Sequence, residues 1–273
     1  MISVELLPGH FVEGGFLIVP FGHPSLEGAA VLHGIDYPAA SARPPPGVGK
    51  AERDVGAELR GYLFQERLQY RLGVFGGVAQ GTPGPRGLLD PAPRFLLNPR
   101  AIPRFARHLR WNFLGRENDF ALQGIYFAER PMLSVGVSAD YQPDAIAGSA
   151  APADYLALAA DVFTEIPWSA DVELVMQAIV YRHAQGDAQP DNNGYGFFFE
   201  GGLRYRMVSV VTMEEYFHGE TAGHDALAVH GGVNWWVRGH NMNLKADFAW
   251  TRSGDLARTP DGYAGTLQTQ LFY

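Results

Sequence analysis

Cysteine is absent from this sequence of 273 residues. Its absence excludes a disulfide scaffold, a thiolate metal site and a cysteine nucleophile. A basic block is also missing, since 21 Lys and Arg residues stand against 29 Asp and Glu residues, for a formal net charge of −8. Without a basic cluster to pair with phosphates, we expect no nucleic-acid partner.

Long apolar runs are missing as well. The best stretch, FLIVPF at Phe16 to Phe21, is interrupted by Pro20. A transmembrane helix needs about 20 consecutive apolar residues, so the sequence predicts none. Met1 is followed by Ile-Ser-Val-Glu, which has neither the basic start nor the apolar centre of a signal peptide. If the protein is exported, we expect its leader to lie outside this sequence.

What the chain does have is alternation of apolar and polar side chains, as in NMNLKADFAWT at 241–251 and MLSVGVSADY at 132–141. A period of two is the pattern of a strand with one apolar face. We predict one all-β domain over residues 1–273 with about 13 strands, near residues 2–7, 11–21, 53–63, 68–77, 104–114, 132–142, 154–165, 171–183, 195–206, 208–218, 226–238, 241–252 and 262–273.

Short and long connections take turns along the C-terminal half. PWSAD at 167–171 is short, for example, and QGDAQPDNNG at 185–194 is long. This asymmetry is typical of an antiparallel up-and-down barrel with short turns at one rim and long loops at the other. The Pro/Gly-rich stretches 22–52 and 79–103 are predicted to be loops. Residues 116–131 fit either a strand pair or one long connection at the short-turn rim.

The predicted outward faces carry aromatic residues near the strand ends, while the opposite faces carry charges well inside the strands. A soluble β-sandwich would also have one polar face. The number of strands, their length and the loop asymmetry favour a transmembrane antiparallel up-and-down β-barrel, whose aromatic girdles lie at the two membrane interfaces. The outward aromatics are Tyr141, Tyr195, Tyr205, Trp235, Trp250, Tyr263 and Tyr273.

Several stretches together resemble a known family. LQTQLFY at the C-terminus resembles the closing strand of bacterial outer-membrane barrels, and HGGVNWWVRGHNMNLKADFAW resembles strands of porins related to the phosphate-selective porins O and P. GGFLIVPFG, ERDVGAELRGYL, LQYRLGVFGG and HLRWNFLG resemble earlier parts of that family in the same order. Such porins have about 16 strands. The resemblance therefore implies that N-terminal strands and the leader lie outside this sequence.

The resemblance implies an outer-membrane porin that lets small hydrophilic or ionic solutes diffuse through a water-filled barrel, with no enzymatic activity, cofactor or metal. Its implied partners are the lipid bilayer of the bacterial outer membrane, the barrel-assembly machinery and two further copies in a homotrimer. The assembly signal would be Leu267, Leu271 and Tyr273. Residues 23–50 occupy the place of the family's constricting loop.

Ion preference in a porin is set by charges in the lumen. We predict that the pore-lining charges are Arg60, Arg71, Arg110, Arg204, Arg206, Lys245, Glu58, Asp140, Asp161, Glu200 and Asp247. Anions such as phosphate are candidate solutes. GFLIVPFG, however, has Phe16 and Ile18 where the family often has basic residues, which favours a general diffusion pore.

Two alternatives stay open at this point. The chain could be a soluble all-β binding protein, which would need no detergent for extraction. It could also be a non-functional truncated barrel, because an odd number of strands leaves unpaired backbone edges in lipid. A metal site at His218, Glu220, His224 and Asp225 is conceivable, but polar loops often hold two histidines by chance, and we expect no metal there.

Overall fold

The computed structural model describes residues 1–28, 31–35, 37, 53–77, 102–117, 123–146, 152–186, 190–256 and 258–271. These residues form thirteen β-strands in one antiparallel sheet, which confirms the all-β prediction. Each predicted strand overlaps an observed one. The strands are β1 (Ile2–Leu7), β2 (His10–Ile18), β3 (Arg53–Leu63), β4 (Leu68–Phe75), β5 (Arg104–Asn112), β6 (Met132–Ile146), β7 (Ala153–Pro167), β8 (Val172–Ala184), β9 (Gly194–Tyr205), β10 (Val208–Gly219), β11 (Asp225–His240), β12 (Met242–Gly254) and β13 (Gly262–Leu271).

The topology is up-and-down, because the spatial order of the strands is their order in the chain. Short connections join β3 to β4 at residues 64–67, β9 to β10 at residues 206–207 and β11 to β12 at Asn241. Longer connections follow the even-numbered strands at the opposite edge. The connection from β5 to β6, residues 113–131, is a long one at the short-turn edge. Its described residues form only isolated bridges, which favours the long connection over a strand pair.

Side chains alternate between the two faces of the sheet, and polarity is inverted relative to a soluble protein. In β5, Arg110 is 0% exposed whereas its neighbour Trp111 is 37% exposed. We call the covered face, with His108 and Arg110, the inner face, and the other one the outer face. The outer face is lined by large exposed apolar side chains, among them Leu72, Val74, Phe105, Leu109, Val137, Leu158, Val180, Leu203, Val210, Val233, Phe248 and Leu267.

The sheet is open. β1 pairs only with β2, and β13 only with β12, within the described chain. In an up-and-down sheet all odd-numbered strands run the same way, so β1 and β13 are parallel to each other. Direct pairing of these two edge strands would therefore need a parallel ladder.

The inner face is covered by two inserted segments, which we together call the plug. The first consists of residues 19–28 and 31–35 and includes the short helix α1 (His23–Leu26). The second consists of Glu117 and residues 123–128. Besides α1, the described residues include a 3₁₀ turn at Pro190–Asn192. No helix in the described ranges is long and apolar enough to cross a membrane.

The sheet curves around the plug. Arg110 on β5 reaches the plug residue Glu117, while Lys245 on β12 donates to the backbone of Leu32. Seven strand spacings would separate β5 from β12 by about 34 Å in a flat sheet. Lys245 on β12 and Glu117, the plug partner of Arg110 on β5, nevertheless both act electrostatically on the carboxyl group of Glu27. The inner face is therefore concave, and the plug lies in its hollow.

Gly202 on β9 provides the space in which the plug docks. A Cβ atom at this position would lie 1.9 Å from the His33 ring, whereas one at Gly231 on β11 would meet nothing within 4 Å. We expect Gly202→Ala to displace the first plug segment and Gly231→Ala to leave it in place. Because the chain has no cysteine, Leu32→Cys, a buried site, reports docking by its rate of thiol labelling. Equal labelling rates in both backgrounds would contradict this placement of His33.

Candidate functional site: the inner face and its plug

Ten of the eleven predicted pore-lining charges lie on the inner face. Arg206 differs, because it lies in the turn after β9, where its side chain is exposed and pairs with Asp171. The ten on the inner face are Arg60, Arg71, Arg110, Arg204, Lys245, Glu58, Asp140, Asp161, Glu200 and Asp247.

Five inner-face arginines are each bound by a carboxylate. Four of the bridges run between neighbouring strands, and that of Arg110 spans an intervening strand. Arg60 Nη2 lies 2.6 Å from Glu13 Oε1, and Arg71 Nη1 lies 3.3 Å from Glu58 Oε1. The other three pairs are Arg104 with Asp140, Arg110 with Asp161, and Arg204 with Glu173. A buried charge is tolerated when a partner compensates for its lost hydration, and this cross-strand pairing supplies the partner.

Arg110 occupies the centre of the most buried network. Its guanidinium donates to Asp161 Oδ1 on β7 at 3.1 Å and to Glu117 Oε2 of the plug at 3.0 Å. His108 Nε2 lies 3.2 Å from the other oxygen of Asp161. Ser134 donates a hydrogen bond to Glu117. One side chain of the sheet, which we also call the wall, thus binds both β7, two strands away, and the plug.

A glycine makes this network sterically feasible. In the sheet register Arg110 faces Gly136 on β6, and Gly136 faces Asp161 on β7. With no side chain between them, arginine and aspartate meet across the intervening strand. A Cβ atom on Gly136 would lie 2.5 Å from Asp161 Oδ2 and 2.6 Å from His108 Nε2. Any larger residue at this position would therefore separate the charged groups.

His23 in α1 connects the plug to the far side of the network. Its Nε2 lies 2.9 Å from Glu117 Oε2, and its Nδ1 lies 2.8 Å from Gln177 Oε1 on β8. The ring stacks on Phe163 with 4.4 Å between centroids. Both ring nitrogens and one ring face are thus engaged, which fixes the orientation of α1 against the wall.

The end of the first plug segment is held through its backbone. Lys245 Nζ donates to Leu32 O at 2.6 Å and to Gly34 O at 2.7 Å. The Asn234 amide donates to His33 O at 2.7 Å, and Gly34 N donates to Glu200 Oε2 at 2.8 Å. Wall residues from β9, β11 and β12 thereby satisfy backbone groups that burial would otherwise leave without partners.

The first plug segment enters the hollow at the long-connection ends of the strands, the second enters at the short-turn ends, and the two meet. Gly28 N donates to Gln123 O at 2.9 Å, and Ile125 N donates to Val31 O at 3.1 Å. Gly124 between them has φ 144°, a backbone conformation that L side chains rarely adopt, and a Cβ there would lie 2.6 Å from Val31. These contacts join the segments into one body.

Ionisation of the plug groups follows their surroundings. Burial raises the pKa of Glu27 well above its usual range, and the neighbouring Glu200 raises it further. Burial, together with Lys245 and Arg204, lowers the pKa of His33 to about 3. For Glu117, burial alone would raise the pKa, but Arg110 and His23 outweigh it and hold the value at about 2.

One part of the inner face is apolar rather than charged. Phe21 of the first plug segment packs with Ile146, Ile179, Phe198 and Phe217 in a buried cluster. Phe217 and Ile146 lie near the long-connection ends of their strands, so this cluster covers that side of the hollow. The apolar packing stabilises the plug beside the ion-pair network.

The remaining predicted residues have these positions. Leu267 is 86% exposed and Leu271 is 65% exposed, both on the outer face, while Tyr273 lies outside the described residues. The histidine-rich loop forms two separate pairs, His218 with Asp225 and His224 with Asp191. Within the described ranges, no group of three or more ligating side chains is placed to hold a metal ion.

Sequence reasoning did not single out several inner-face residues, namely Glu13, His23, Glu27, Arg104, Glu117, Glu173 and Gln177. Glu13, Arg104, Glu173 and Gln177 lie on strands and were within reach of strand alternation. The plug residues His23, Glu27 and Glu117 were not, because they lie in connections without periodicity. No protein-family model matches this sequence, and no protein of curated function matches it.

Breaking the central network should destabilise the fold strongly. Arg110→Met leaves Glu117 and Asp161 buried without their cation, and loss of one partner of a buried pair costs about 3–5 kcal/mol. The matched control is Arg206→Met, which removes an exposed pair with Asp171 worth about 1 kcal/mol or less. Urea unfolding followed by tryptophan fluorescence measures both. Equal losses in free energy of unfolding would contradict a central role for Arg110.

His33 should make stability fall on acidification. Its folded pKa of about 3 lies below the usual 6.5, so below pH 6.5 the unfolded chain binds a proton that the folded chain does not. From pH 7 to pH 5 this single group should remove about 2 kcal/mol of stability. We expect His33→Leu to lose that part of the pH dependence and the control His10→Leu to keep it. Parallel profiles for wild type and His33→Leu would contradict the burial of this ring.

Proposed function

We propose that this chain forms the wall and the constriction of an outer-membrane porin through which small hydrophilic or ionic solutes diffuse. The observation that carries the proposal is the inverted polarity of the sheet, with charges buried inside and large apolar side chains exposed outside. The polar interior of a transmembrane barrel accounts for the charges, and a lipid-facing wall accounts for the apolar side chains. The plug is the constriction of this pore.

The outer face supports a lipid environment energetically. Transfer of one Val, Leu or Phe side chain from water to an apolar medium is favourable by about 1.5–3 kcal/mol. Monomeric soluble proteins rarely expose apolar patches larger than a few hundred Å². Here the exposed apolar side chains extend over nearly every strand, from Val12 on β2 to Leu271 on β13.

The distribution of aromatic and charged residues on the outer face also fits a membrane. Tyr141 and Tyr195 are exposed near strand ends next to long connections, and Tyr205 is exposed at the short-turn edge. Aromatic rings concentrate at such interface levels. Charged outer-face side chains such as Arg107 and Glu214 lie in the half of their strands next to the long connections. That half is the one we assign to the headgroup region.

A membrane wall also requires partners for both sheet edges, since each unsatisfied backbone group in lipid costs several kcal/mol. β1 and β13 run in the same direction, so an odd number of further strands between them would restore antiparallel pairing throughout. Three such strands would give the family's barrel of about 16. We therefore propose closure by additional strands. Without such additional strands, the chain would be the non-functional fragment.

The soluble binding protein is the competing function. It would have to keep the apolar outer face in water. That exposure favours the porin.

Planar-bilayer recording of the refolded protein tests the proposal. We expect discrete conductance steps, and we expect Gly202→Ala, which displaces the plug, to change their size by about twofold or more while Gly231→Ala leaves them unchanged. Absence of steps from a protein that stays folded and dispersed without detergent would overturn the porin in favour of the binding protein. Absence of steps from a detergent-requiring protein would indicate an unclosed wall.

A further inference from the structure

We propose that Arg107 and the groove around it on the outer face bind an anionic phospholipid, one whose phosphate headgroup has a net negative charge. This inference rests on the proposed membrane location of the outer face. It concerns a site that the pore itself does not use, because Arg107 points away from the inner face and its plug.

Arg107 stands in apolar surroundings. On the outer face its cross-strand neighbours are Leu72 on β4 and Ala139 on β6, and Ala139 in turn faces Leu158 on β7. The row on the side of the long connections contains Val74, Phe105, Tyr141 and Leu156. Across β4 to β7, every side chain in these two rows other than Arg107 is uncharged, and the next residue of the Arg107 row is Arg182 on β8.

These two rows enclose a groove with a volume of about 400 Å³. Ala139 is the small residue in its floor, between the Arg107 and Leu158 side chains, and so leaves the depression open. Exposed walls are formed by Leu72, Phe105 and Leu158. An acyl chain fits such a groove, since it gains dispersion contacts on both sides and needs no hydrogen bonds.

Arg107 forms no ion pair or hydrogen bond with the residues that the structure describes, whereas Arg182, also on the outer face, pairs with Glu220 at 3.1 Å. A guanidinium on a lipid-facing surface is costly at the membrane centre and less so near the interface. An anionic headgroup removes the rest of this cost. Arginine matches phosphate oxygens in a two-pronged geometry, which makes a phosphate group the fitting partner.

The depth of Arg107 fits a headgroup. β5 begins at Arg104, after the long connection, so Arg107 lies about 10 Å along the strand from that end. Tyr141, at the level of Phe105, marks the interface on the same side, and its hydroxyl donates to Asp154. From Arg107 the outer face continues toward the sheet centre with Leu109 and Val137, along which an acyl chain can extend.

Native mass spectrometry in a zwitterionic detergent tests the site with two lipids of equal chain length, phosphatidylglycerol and phosphatidylcholine. We expect the wild type to prefer the anionic lipid by about fivefold, as one arginine near a membrane surface implies. Arg107→Gln should lose the preference, while the control Arg182→Gln should keep it. Excess inorganic phosphate should not displace the lipid, because it lacks the acyl chain.

Equal binding of the two lipids by the wild type, a preference that survives Arg107→Gln, or displacement by inorganic phosphate would each overturn the lipid site. These outcomes are distinct from a failure of the porin proposal, which the conductance measurement tests. Ala139→Phe would fill the groove from its floor. It should therefore reduce binding of both lipids without changing the conductance steps. Unchanged lipid binding by Ala139→Phe would also contradict the proposed groove.

Discussion

The ion pairs of Arg110 are the contact on which the rest of the inner face depends. The guanidinium joins Asp161 of the wall to Glu117 of the plug, and His23 extends the same network to β8 through Gln177. Burial of so many charges is tolerated only if each of them has a partner. Gly136 and the strand register supply the necessary geometry, so the backbone determines where the charges can meet.

This arrangement divides the work between wall and plug. Strands supply charges at fixed spacing, and the plug supplies the complementary groups that no strand could place in the hollow. Lys245 and Asn234 bind plug carbonyl groups rather than side chains. The plug can therefore be held in one position although its own sequence contains few charged residues.

Strand alternation is a local property, which is why the thirteen strands and the inward position of Arg110, Asp161 and Lys245 could be predicted from the sequence. Arg206 shows the limit at a strand end, where one residue separates a ladder position from a turn. The partners His23, Glu27 and Glu117 could not be predicted, because each lies in an aperiodic connection and meets the wall through contacts distant in sequence. The groove at Arg107 could not be predicted either, because it depends on the register of four strands.

Entry of the two plug segments from opposite edges has a mechanical consequence. Neither segment can swing out of the hollow about a single hinge while both remain joined, since a displacement that carries one toward its own edge draws the other further in. Release must begin where they meet, at the backbone bonds of Gly28 and Ile125 with Gln123 and Val31 and at the contact between His23 and Glu117. Glycines at positions 28 and 124 flank the backbone part of this junction, so peptide hydrogen bonds and one buried histidine–glutamate contact bear its load together.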